Sequence, residues 1–254
     1  LREYLSLGNF SLSMKLRADR RGQSMQIGAM LVFAMLVIGM ATYQGTIIPQ
    51  QNEGVEFNHN QHVHDQLQEG RDAVLRTAAL GERHSATIDL GTQFPDRTVF
   101  INPPAPHGTL ETTDLGEITV SYADASGEVG DYWDGTPRAF TTSGFSYTPG
   151  YSEYQHPPTT VYEHGVLYDR FDNGVRLPST SQDLVDGRRI TLVTLDGTMS
   201  QTSSGAATLD PRPISVSTTT ISVVSGANPL SITLRTDLSE AAWRDLLADE
   251  LDLD

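Results

Sequence analysis

The sequence predicts an α+β protein, mainly β: a long N-terminal hydrophobic and amphipathic helix, then an antiparallel β-sandwich-like head, then a short C-terminal helix. Three observations carry this expectation. Residues 23–52 hold no charged side chain, and 27–48 (IGAMLVFAMLVIGMATYQGTII) are mostly apolar. From about residue 84 to 235, short runs rich in Val, Ile, Thr and Tyr alternate with Gly, Pro, Asn and Asp turn signals. After Ser239, apolar residues return at helical spacing.

A helix over 27–48 spans about 33 Å, roughly one hydrocarbon core. A helix buried in a soluble core rarely runs so long without a polar stripe. Arg20 and Arg21 precede the segment, and no basic residue follows until Arg71. The positive-inside bias therefore keeps the short N-terminus in the cytoplasm and sends the rest outside. The charges divide the same way: residues 1–22 carry a net +3 and residues 23–254 a net −18, giving −15 for the 254-residue chain. The segment exceeds the apolar region of an ordinary secretory signal, and Ala41-Thr42-Tyr43 is a poor cleavage site.

The edge of the segment is informative. Arg20-Arg21-Gly22 is followed by Gln23-Ser24-Met25-Gln26-Ile27-Gly28. A basic pair and a glycine placed directly before an apolar helix resemble the class III leader of type IV pilins and archaellins. The resemblance implies that a prepilin peptidase-like enzyme cuts between Gly22 and Gln23, with Arg20 and Arg21 as part of the processing site. Met14 would open a leader of nine residues. At the fifth mature position, where many bacterial members carry Glu, stands Ile27. Sixteen of the 17 basic residues are Arg, and Asp outnumbers Glu by 20 to 12. This Lys-poor, Asp-rich balance suits a protein in high salt. The resemblance is to haloarchaeal pilin-like surface proteins, which also fits that composition. It implies a basic leader over 1–22, a transmembrane and assembly helix over 23–48, a helical stalk over 49–83 and an extracellular β-rich domain over 84–254. Partners would be the membrane, crossed once, and other pilin-like subunits or further copies of the chain. Ile27, Gly28, Ala34, Gly39, Ala41 and Gly45 would line the assembly helix, where small residues allow close helix approach. The simpler alternative is an uncleaved signal-anchor.

Pro49 is expected to end or kink the apolar helix. A helical pattern then resumes, with Val63, Leu67, Val74 and Ala78 on one face and Asp65, Gln68, Glu69, Arg71 and Asp72 on the other. His59, His62, His64 and Asp65 invite a metal reading. On a helix, however, His64 points away from His59 and His62, so the group is read as a solvated polar face. Strands are expected over 85–90, 98–101, 117–123, 138–145, 160–168, 189–195, 199–209, 214–224 and 230–235, with Asp196-Gly197 as a tight hairpin turn. Ser239 caps a C-terminal helix over 239–251, whose Trp243 is expected to dock on the sheet.

Catalytic patterns are absent from the sequence. There is no cysteine, no nucleophile elbow, no phosphate loop and no dinucleotide fingerprint. In 169–174 (DRFDNG) the glycine stands where a calcium loop needs it, but Phe171 and Thr180 fill ligand positions. The reading is therefore not an enzyme, with no cofactor and no metal, and the acidity argues against nucleic acid. Residues 131–154 hold seven of the chain's 19 aromatics in 24 positions. Tyr132, Trp133, Tyr147, Tyr151 and Tyr154 are candidates for ligand or partner contact, and they support an alternative reading as a non-polymerising surface binding module.

Overall fold

A stripe along one helix decides how the head is built. In the computed structural model, which describes residues 20–217, 219–224 and 228–250 without the side chains of 20–23, helix α1 covers Arg20–Thr42 and helix α2 covers Ile48–Leu80. A widened π-turn, Tyr43–Ile47, lies between them. Of the two outcomes expected at Pro49, an end or a kink, the helix does not end there; its regular α-turns are interrupted just before it. Pro49 lacks an N–H, and in a regular α-turn its ring would crowd the Gly45 carbonyl; a π-turn just upstream accommodates such a residue. The Thr46 hydroxyl donates to the Thr42 carbonyl at 2.7 Å inside the same turn.

The chain separates into two units that part between Ile47 and Ile48. In the first, every position from Ser24 to Tyr43 is exposed. In the second, α2 buries Ile48, Asn52, Glu56, His59, Asn60, Val63, Leu67, Gly70, Arg71, Ala73, Val74 and Thr77. Steps of three and four residues keep these on one side of a 3.6-residue helix.

That side packs on an antiparallel sheet whose strands run in the order β10-β2-β4-β5-β6-β7, with β13 also paired to β2. The central pair is long: β2 (His107–Ser121) lies beside β4 (Arg138–Gly150). Next come β5 (Thr159–Glu163), β6 (Val166–Arg170) and β7 (Arg176–Pro178). The outer partners of β2 are β10 (Ser200–Ser203) and β13 (Ser231–Thr233). Three two-stranded pieces complete the β structure. They are β1 (Ala86–Asp89) with β11 (Ala206–Leu209), β3 (Asp124–Ala125) with β12 (Val223–Val224), and β8 (Val185–Asp186) with β9 (Arg189–Ile190). Val63, Leu67 and Val74 of α2 meet Ile88, Leu90, Leu110, Phe145, Tyr147, Tyr162 and Leu167 in one core.

The β5–β6 hairpin is covered on both faces. Tyr162 and its cross-strand partner Leu167 belong to the α2 core, and Tyr162 stacks on Phe145 with ring centroids 4.6 Å apart. Val161 and its partner Tyr168 point the other way, because strand side chains alternate. They meet Leu238 and helix α3 (Glu240–Leu247) through Ala242, Trp243 and Leu246. The expected C-terminal helix is therefore present and Trp243 docks as expected, its indole N–H donating to Thr236 at 2.9 Å. The Ser239 side chain accepts from the Ala242 N–H, making the expected cap.

The fold class is the expected one: mainly antiparallel β, with a long apolar N-terminal helix and a short C-terminal helix. Several strand expectations need correction. The run over 160–168 is two strands, turned at His164 (φ 50) and Gly165 (φ 87), both in the left-handed region that a tight hairpin requires. Asp196-Gly197 closes no hairpin. Instead the Leu195 carbonyl accepts from Ser143 N–H and the Met199 carbonyl from Thr112 N–H, so this segment passes over the bulge between β2 and β4. Gly116, at φ 78, makes that bulge possible. Among the described residues of 214–224 only Val223 and Val224 pair, and 98–101 lies outside every sheet. The first half of β2 has no alternating pattern, since Leu110 is its sole large apolar residue before Leu115. It is held by partners on both sides. Gly108 there leaves room for Tyr147: a Cβ would fall 2.4 Å from the Tyr147 ring.

Leu67 is fully buried and Leu80 largely exposed. Leu67→Ala should destabilise the head by about 2–5 kcal/mol. Leu80→Ala should stay within about 0.5 kcal/mol. Denaturant unfolding of the detergent-solubilised full chain measures both.

Candidate functional site

The residues that the sequence assigns to the membrane and to assembly sit on α1. Among the described residues, one helix, near the N-terminus, is long and apolar enough to cross a membrane. Met25, Ile27, Met30, Phe33 and Ile38 are all more than half exposed. A Cβ added at Gly28, Gly39 or Gly45 would meet nothing within 4 Å. At about 100° per residue, Gly28 and Gly39 fall on one line of the helix, and Ala34 and Ala41 on a second about 120° away. These four thus fall on two lines rather than a single stripe, and Ala29 lies off both. Gly45 lies beyond α1, in the π-turn. Of the processing residues, Arg20, Arg21, Gly22 and Gln23 have helical backbone, while their side chains, Met14 and the leader over 1–19 lie outside the described residues.

Below the π-turn, polar groups take over the buried stripe of α2. Glu56 is fully buried, and its carboxylate accepts three consecutive backbone N–H groups, from Ser152 at 2.9 Å, Glu153 at 2.7 Å and Tyr154 at 2.6 Å. Burying a carboxylate is tolerable only with such a full set of donors. Three residues on, His59 Nδ1 lies 2.7 Å from the Tyr151 hydroxyl. Burial pushes the Tyr151 hydroxyl up to about 12, so it stays protonated in this bond, whose direction follows the His59 tautomer. Phe57 meets Tyr154 edge-on, with centroids 5.6 Å apart. Farther along α2, buried Arg71 donates to the Gly165 carbonyl at 2.6 Å and the Ser181 carbonyl at 3.0 Å, and pairs with Asp183. Gln66 ties down β1, accepting from the Asp89 N–H at 2.8 Å and donating to its carboxylate at 3.0 Å.

The five candidate contact aromatics do not form one platform. Tyr147 is completely buried, with its hydroxyl donating to the Leu90 carbonyl at 3.1 Å; it is core. Tyr151 and Tyr154 pack on α2. Tyr132 and Trp133 stay at the surface, edge to face at 5.2 Å, with Phe140 6.4 Å from Trp133 and the Arg138 guanidinium 4.6 Å above the Tyr132 ring. Tyr132 is 48% exposed.

Of the group expected on a solvated face, His62 and Asp65 are exposed, with His62 3.5 Å from Asp89, whereas His59 is buried on Tyr151 and half-buried His64 lies 3.7 Å from Asp169. Each histidine has its own partner because the buried stripe of α2 passes between them. Among the described residues, no group of three or more His, Asp or Glu side chains is placed to hold a metal.

No family model matches the chain, and no solved structure matches it. It is similar to an uncharacterised protein of Archaeoglobus fulgidus, 25% identical over 150 residues, which is 59% of this chain. The match spans a quarter of that protein's length.

Sequence reasoning misses Glu56 as an anchor and puts Arg71 on the polar face, whereas Arg71 is buried on the stripe side of α2. The available signal was the spacing. Asn52, Glu56 and Asn60 continue the Val63/Leu67 stripe backwards at intervals of three and four, so a polar residue sits where the helix must be buried.

Two of these histidines oppose each other in pH dependence. The bond to Asp169 raises His64 above its ordinary 6.5. Its contribution is complete below 6.5 and is lost as pH rises through the raised value. Burial lowers His59 below 6.5. Its contribution is present above 6.5 and is lost as pH falls through the lowered value. His64→Gln should therefore blunt the alkaline loss of stability, and His59→Gln the acidic one, in thermal unfolding of the full chain across pH.

Proposed function

We propose that this chain is a type IV pilin-like subunit, a minor or specialised one, of a halophilic archaeon. Its leader is removed at Gly22–Gln23 by a prepilin peptidase-like enzyme. Its apolar helix then anchors it in the membrane or packs with other subunits, and the acidic β-rich head lies outside the cell. The role is structural, in a surface filament or in adhesion, with no enzymatic activity or cofactor. The observation that carries the reading is the contrast between α1, apolar and exposed over its described side chains, and α2, whose buried stripe belongs to the head. An apolar helix exposed in this way needs lipid or other helices around it. The basic-pair-and-glycine motif at its start adds the processing step.

Gly22→Leu should leave a heavier, unprocessed protein that no longer enters filaments. Intact-mass and N-terminal analysis of the wild-type protein should find Gln23 as the first residue. A wild-type chain that keeps its leader would sink the processed-subunit reading.

A second reading, a non-polymerising single-span binding module, is favoured by the Tyr132–Trp133–Arg138 surface. Aromatic rings held edge to face and topped by a guanidinium offer a contact patch for a sugar ring or a protein partner. On that reading Tyr132→Ala combined with Trp133→Ala abolishes cell-surface adhesion. On the subunit reading the same double variant leaves filament assembly intact.

A further inference from the structure

The run Thr98-Val99-Phe100-Ile101 has the composition of a strand, yet the fold keeps it out of every sheet and shows part of it to solvent. Val99 is 63% exposed and Ile101 79%. The loop is nonetheless built to hold its shape. Arg97 Nε donates to the Asn102 side chain at 2.8 Å, and Asn102 donates to the Pro95 carbonyl at 2.8 Å, closing the loop across its base. The same guanidinium donates to Gln51 at 2.7 Å and Asn52 at 3.1 Å. One arginine thus fastens an apolar tip to the opening turns of α2. By helix rise, Gln51 and Asn52 lie only about 5–6 Å beyond Ile48, where the sequence places the end of the hydrocarbon span.

We propose that loop 98–101 is a lipid-facing foot: Val99 and Ile101 enter the headgroup and upper acyl region of the bilayer beside the opening turns of α2. This rests on the reading of α1 as a membrane helix. Lipid fits better than a protein groove for two reasons. The loop is fastened to the turns of α2 that directly follow the spanning segment. In addition, 98–106 carries no charged side chain, within a portion of the chain whose net charge is −18. That charge holds the rest of the head off an anionic surface, so an uncharged apolar loop is the part suited to touch it.

The chain contains no cysteine, so single-cysteine variants can be labelled at one place each. The full chain is reconstituted in phosphatidylcholine vesicles containing spin-labelled lipid, with a polarity-sensitive fluorophore on Ile101→Cys. Gly39→Cys in α1 reports insertion of the anchor, and Ile214→Cys, at an 81% exposed position, reports water. The expected result is blue-shifted emission at Ile101→Cys and quenching several-fold above Ile214→Cys, with a shallow rather than central spin label most effective. Adding Arg97→Ala should cut the Ile101→Cys quenching several-fold and leave Gly39→Cys unchanged. If Gly39→Cys is quenched while Ile101→Cys matches Ile214→Cys, the foot is wrong and the anchor stands. If Gly39→Cys is not quenched, the anchor reading itself fails. Ile101→Cys emission that shifts only at high protein-to-lipid ratio would mean that a second copy covers the loop, and that overturns the lipid assignment. Quenching unaffected by Arg97→Ala would overturn the tether.

Discussion

The carboxylate of Glu56 has no cation beside it in its hydrogen-bond set, only backbone. Three successive N–H groups converge on its two oxygens, and that geometry fixes the path of residues 152–154 against the helix. Tyr151 is then delivered to His59, and Tyr154 to Phe57. Removing the carboxylate would leave three donors facing a buried space, a larger penalty than the loss of a surface ion pair. The first turns of α2 therefore belong to the head as firmly as Val63 and Leu67 do. The change from the exposed side chains of α1 to the buried stripe of α2 is made within a few residues of Ile48, where Asn52 and Glu56 are already fully buried.

This explains which parts could be read in advance. The apolar run of α1 is visible because it needs no partner to identify it; length and lack of charge suffice. The apolar half of the α2 stripe, the β5–β6 hydrophobic run and the Ser239-capped helix are visible for similar local reasons. What is hidden depends on distant groups. His59 looks like a surface residue until Tyr151, 92 residues away, is placed on it. The Tyr147–Tyr154 stretch looks like a loop rich in contact residues, yet Tyr147 fills the core because Gly108 on the neighbouring strand makes room. The strand-like run at 98–101 misleads in the opposite sense. Its composition reports a need to bury apolar side chains, which composition alone cannot distinguish from pairing in a sheet.

On the high-salt reading, the distribution of ion pairs acquires a logic. Exposed pairs such as Arg244–Glu240 and His156–Asp172 are screened over a few Å in concentrated salt and contribute little there. The charges that organise the head are those withdrawn from solvent. Besides Glu56 these include Arg71, which draws the β5–β6 turn and the 181–183 segment onto α2, and Glu163, which accepts from the Tyr168 hydroxyl and the Asp237 N–H. Buried, charge-assisted bonds are much less sensitive to ionic strength. Most of the acidic charge can then serve solubility without being asked to hold the fold.

The same division limits how subunits could pack. The outward side of α2 presents Gln51, Glu53, Asn58, Gln61, Asp65 and Glu69, a polar and acidic surface, while its apolar side is covered by the head. Close helix-to-helix packing through α2 would have to bring carboxylates together or strip the head from its own core. On the subunit reading, helix packing would therefore fall to α1, ahead of the π-turn. There Gly28 and Gly39 lie on one line and Ala34 and Ala41 on a second about 120° away, so close approach is open on more than one side.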